Sequence, residues 1–89
     1  MQDFKKLPSK EINDGIQYIF KAENGYGASI VSHSFSYGHE SGLWELAVIK
    51  YYGDDWTIDY STPITEDVLG YLSDKEVNKI LGKIKELPA

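Results

Sequence analysis

The chain has 89 residues, with 14 Asp and Glu against 9 Lys, no Arg and no Cys, and a formal charge of −5. That length holds one domain with one core, and a chain without cysteine has neither disulfides nor thiolate metal sites. Lack of Arg removes the side chain best suited to gripping phosphate or guanine with two bonds, which argues against direct nucleic-acid binding.

The first residues, MQDFKKLPSKEIN, lack the apolar stretch of a secretory leader, which points to a cytoplasmic protein. No apolar run approaches the roughly 20 residues that cross a bilayer, so no membrane partner is expected. Residues 1–14 are expected to be loosely ordered or, through Phe4, Leu7 and Ile12, folded back on a sheet. Residues 15–89 then form a single α+β domain.

Residues 16–22, IQYIFKA, alternate Ile16, Tyr18, Phe20 and Ala22 on one side and favour β-branched and aromatic types, the signature of a strand. Asn24-Gly25 follows, the dipeptide that best tolerates positive φ at both centres of a two-residue hairpin turn. Such a turn pairs Ile19 with Ile30, Tyr18 with Val31 and Ile16 with His33, and sets Tyr18, Phe20 and Val31 on one face. A loop longer by one residue reverses the partner strand's faces.

Residues 34–42, SFSYGHESG, are polar and longer than an ordinary hairpin loop. GLWELAVIKYY then carries Trp44, Leu46 and Val48 on one face and Leu43, Ala47 and Ile49 on the other, as a central strand does. After Gly53-Asp54-Asp55, the alternation of Trp56, Ile58 and Tyr60 predicts a half-buried fourth strand. Thr65 before Glu66 and Asp67 predicts a short helical turn over VLGYL. Ser73 and Glu76 form a capping box ahead of a helix whose stripe is Val77, Ile80, Leu81, Ile84 and Leu87, with Pro88 at its end. The expected fold is α+β, an antiparallel four-stranded β-meander followed by a C-terminal amphipathic helix packed on one sheet face.

His33, His39 and Glu40 are the residues suited to metal or acid–base chemistry, but their spacing matches no zinc motif. Ser32, Ser34, Ser36 and Ser41 surround them without a nucleophile motif, and adjacent strand residues point to opposite faces. Gly25-Tyr26-Gly27 runs into a strand where a dinucleotide loop would open a helix. Asp54, Asp55 and Asp59 lack calcium-loop spacing. No cofactor, metal or catalytic residue is therefore expected. What stands out is an excess of aromatics that one core cannot absorb, the kind of surface that Tyr and Trp give to protein interfaces. Tyr37, His39, Glu40, Tyr52, Asp54 and Asp55 are the expected contact rim. Residues 54–74 add six acids and no base.

At NGYGAS (24–29), SYG (36–38), GLWELAVI (42–49) and TPITEDVLGYLSDKEV (62–77) the chain resembles small uncharacterised proteins of bacteriophages and prophages, chiefly of Gram-positive hosts. The resemblance covers roughly residues 24–81. It implies expression in the cytoplasm of an infected bacterium and transfers no catalytic residue. The expected function is a non-enzymatic interaction module that binds a host or phage protein or self-associates. Its rivals are an acidic inhibitor occupying the nucleic-acid-binding groove of a nuclease or polymerase, and a small enzyme using His33 or His39.

Overall fold

The computed structural model describes residues 3–12, 15–32, 42–59, 61 and 69–88. Within them lie a 3-10 turn at Phe4–Lys6 and six strands: β1 (Ser9–Ile12), β2 (Gly15–Lys21), β3 (Tyr26–Ser32), β4 (Trp44–Tyr52), β5 (Asp55–Ile58) and β6 (Leu69–Leu72). A single helix, α1 (Asp74–Lys85), follows. The class is α+β, with an antiparallel sheet in the order β1-β2-β3-β4-β5 and β6 also paired to β4.

Two strands go beyond the expected meander of four. β1 extends the sheet as the edge neighbour of β2, pairing Ser9 with Tyr18 and Ile12 with Gly15. β6 replaces the helical turn expected over VLGYL. The reason is tertiary: β4 is nine residues long, and β5 pairs only with its end, from Ile49 to Tyr52. The other half of that edge would leave backbone groups unpaired. Leu69–Leu72 takes it up, pairing Leu72 with Trp44 and Leu69 with Leu46. Three steps along β6 against two along β4 make a bulge, and Tyr71 within it adopts φ 58°.

The β2–β3 hairpin corrects the expected register. Ala22 N–H donates to the Tyr26 carbonyl at 2.8 Å, so Glu23, Asn24 and Gly25 form the loop, with Gly25 at φ 89°. A three-residue loop of this kind closes on a left-handed glycine. Tyr18 therefore pairs with Ile30 and Ile16 with Ser32, and Ala28 and Ile30, not Val31, share the core face with Tyr18 and Phe20.

α1 packs across β3 and β4. Its expected stripe is in place: Val77, Leu81, Ile84 and Leu87 join the core with Phe20, Ala28, Ile30, Leu46 and Val48, and Ile80 packs against it. The capping box is present, with Glu76 N–H donating to Ser73 Oγ and Ser73 N–H donating to Glu76 Oε1. Helix residues stop at Lys85, and Asn24 meets the end: its Nδ2 donates to the carbonyls of Ile84 at 2.8 Å and Leu87 at 2.9 Å.

The N-terminal segment joins the helix-side core and leaves the opposite sheet face uncovered by Phe4. Phe4 is fully buried, meeting the rings of Tyr18 and Trp44 edge-on at 5.3 and 5.0 Å. Its N–H donates to Asn78 Oδ1 at 2.8 Å, and Leu7 packs against the same core.

Candidate functional site

Of the six residues expected at the contact rim, Tyr37, His39 and Glu40 lie outside the described residues, as does His33. Tyr52, Asp54 and Asp55 are brought together by the β4–β5 hairpin. Tyr52 pairs with Asp55 around the two-residue turn Gly53-Asp54, where Gly53 adopts φ 70°. A tight turn that starts at positive φ matches the twist of the two strands, and glycine supplies that backbone without strain.

The hairpin is the most apolar exposed part of the described surface. Four large hydrophobic side chains there are exposed, and Tyr52, Trp56 and Ile58 on this hairpin are three of them, at 62%, 39% and 40%; the fourth is Tyr71 on β6. All four residues of β5 are exposed, which corrects the half-buried strand read from the alternation of Trp56 and Ile58. The pattern was right and its environment was not. β5 holds only the tip of β4, beyond the reach of the helix-side core.

Alternation assigns the side chains to two faces. Tyr51 stands opposite Trp56 and Ile49 opposite Ile58, on the sheet face away from α1. Ile49 and Ala47 on that face are buried, yet neither belongs to the helix-side core. The Lys21 ammonium lies 4.7 Å from the centre of the Tyr51 ring, and Gln17 Nε2 donates to Ser29 Oγ at 2.7 Å on the same face. Burial pushes the Tyr51 phenol above its usual range.

Around the Lys50–Thr57 pair, Lys50, Tyr52, Thr57, Ile58, Asp59 and Ser61 line an open cavity of about 530 Å³. Asp59 closes a local turn, accepting from Ser61 N–H at 2.7 Å and from the Ser61 hydroxyl. Those two bonds hold its carboxyl below the usual range, with the Lys50 charge adding to them. Lys50 also lies over the Tyr26 ring at 5.3 Å. A second groove, of about 520 Å³, runs between β6 and α1 and includes Leu69, Leu72, Ile80 and Leu87.

Among the described residues no group of three or more His, Asp or Glu is placed to hold a metal ion, and no helix is long and apolar enough to cross a membrane. Trp56 and Ile58 are the site residues that sequence reasoning missed, because a period-two pattern reports which residues share a face and not whether that face is covered. Comparison with known proteins finds no matching family model, curated relative or solved structure.

Proposed function

We propose that this chain is a small non-enzymatic protein-interaction module that works in the cytoplasm of a phage-infected bacterium and binds a host or phage protein through its β4–β5 hairpin. The observation that carries this reading is the concentration of exposed Tyr52, Trp56 and Ile58 on one short hairpin. Tyr and Trp dominate interface hot spots because each buries a large rigid surface at little entropic cost. A hairpin projecting from a folded sheet presents them already ordered, which lowers the cost of association. The phage setting rests on the resemblance of the NGYGAS, SYG, GLWELAVI and TPITEDVLGYLSDKEV blocks.

The test is affinity capture from bacterial lysate with the wild-type chain and with Trp56→Ala, Tyr52→Ala and Ile58→Ala variants, alongside light scattering of each purified protein. These positions are exposed, so the variants are expected to keep a cooperative thermal melt. Loss of a near-stoichiometric partner in Trp56→Ala supports the module. Equal retention by the triple variant, or no association of any kind, rejects it. Tyr37→Ala and His39→Ala extend the same assay to the other half of the expected rim.

A further inference from the structure

Building on that reading, we infer that the partner of the β4–β5 hairpin is a protein with a basic, apolar-floored groove, and that the hairpin enters it as an aromatic wedge with an acidic tip. The wedge has one exposed aromatic on each side, Tyr52 on one and Trp56 on the other. Tyr52 projects to the side of the Lys50–Thr57 pair, and Trp56 to the opposite side with Tyr51. Asp54 and Asp55 form the tip and Asp59 follows the strand. Among the described residues, neither Asp54 nor Asp55 has an ion-pair partner; the ion pair present is Lys5 to Asp74. Lys50 on the hairpin and Lys21 beside it each sit over an aromatic ring of the chain itself.

Charge decides between the possible occupants. A second copy docking through the same hairpin would put two acidic turns into one contact between chains that each carry −5, and like charges oppose such a contact. Nucleic acid is repelled for the same reason. A basic protein surface is attracted, its approach is steered by the acidic tip, and its groove floor receives the Tyr52 and Trp56 rings. Such a contact is sensitive to salt in a way that a purely aromatic one is not.

The experiment places the photoreactive residue p-benzoylphenylalanine at exposed position 57 of the full chain, expresses it in a bacterial cell whose proteins serve as the probe, and identifies the crosslinked peptide by mass spectrometry. The expected adduct joins the hairpin to a Lys- and Arg-rich segment of another protein. With that protein purified, affinity is expected to fall at least tenfold from 50 to 300 mM salt, at least tenfold in Asp54→Lys/Asp55→Lys, and at least tenfold in Trp56→Ala. An adduct with a second copy overturns the inference. A partner bound through Trp56 with no response to salt or charge reversal also overturns it, while leaving the interaction module standing. Absence of any adduct, with Trp56→Ala indistinguishable from wild type in capture, removes both.

Discussion

At Gly27 the backbone of β3 passes so close to β2 that a Cβ would collide with the Phe20 carbonyl oxygen and press on the Tyr51 ring, 3.2 Å away. Neither neighbour yields easily, since one is ladder backbone and the other carries Lys21 over its face. Gly27→Ala is therefore expected to destabilise the chain by about 1–3 kcal/mol, the usual cost of forcing extra volume into a packed site. Urea denaturation checks this as a lower midpoint at unchanged slope. Asn24 carries a different burden. Its Oδ1 accepts from Tyr26 N–H while its Nδ2 serves the carbonyls at the end of α1, so one side chain joins the β2–β3 hairpin to the helix. Asn24→Ala removes the side-chain donor to the Leu87 carbonyl and the second donor to the Ile84 carbonyl, which keeps the Leu87 N–H, and is expected to cost about 1–3 kcal/mol. Asn24→Asp should be at least as harmful, because a carboxylate there faces the negative end of the helix dipole. Thermal melts of the two variants order them. An alanine variant as stable as wild type would show that the bridge is dispensable.

Among the elements, the 3-10 turn at Phe4–Lys6 is small and tightly held. Phe4 closes an edge-to-face cluster with Tyr18 and Trp44, and Trp44 Nε1 donates to Asp74 Oδ1 at 2.8 Å. Lys5 Nζ reaches the other carboxylate oxygen of Asp74 at 2.7 Å. The turn, β4 and the start of α1 thus meet at one corner. Phe4→Ala empties a fully buried site and is expected to cost about 3–5 kcal/mol. A loss below about 1 kcal/mol would mean that the N-terminal segment is a mere appendage. Elsewhere the elements divide by what their local sequence could say. The capping box at Ser73 and Glu76 and the stripe from Val77 to Leu87 were legible because a helix satisfies its own hydrogen bonds and exposes its period directly. Leu69–Leu72 was not, since the partner that makes it a strand lies more than twenty residues away in β4.

For the whole molecule, three carboxylates among the described residues are held below their usual range and are expected to contribute to the acid limb of stability. Hydrogen-bonded Lys5 depresses Asp74, the Ser73 backbone N–H depresses Glu76, and Ser61 depresses Asp59. A carboxylate whose folded pKa is lowered contributes stability that is present above its unfolded pKa of about 4 and is lost as pH falls through the folded value. Lys5 is shifted the opposite way, raised by Asp74, so its contribution is present below the ordinary lysine value and lost as pH rises through the folded one. Melting temperature is expected to be level near neutrality and to fall below about pH 4. The fall should be modest, because exposed groups are screened. Asp74→Asn combined with Glu76→Gln should flatten it, and an unchanged acid limb in that variant would assign it to other groups.

The α+β class, the central place of the Trp44–Tyr52 strand with apolar residues on both faces, and the capped C-terminal helix were all written in the order of the residues. Each of these follows from a local period or a side chain acting on its near neighbours. The rest depended on contacts between elements far apart in the chain. A single extra loop residue at Glu23 reversed the partner face in the β2–β3 hairpin, the unpaired half of β4 drew Leu69–Leu72 into the sheet, and Phe4 went to the helix side. The exposure of Trp56 and Ile58, on which the candidate site rests, belongs with these. Alternation along a strand fixes which side chains look the same way, whereas what covers them is set by elements distant in the chain.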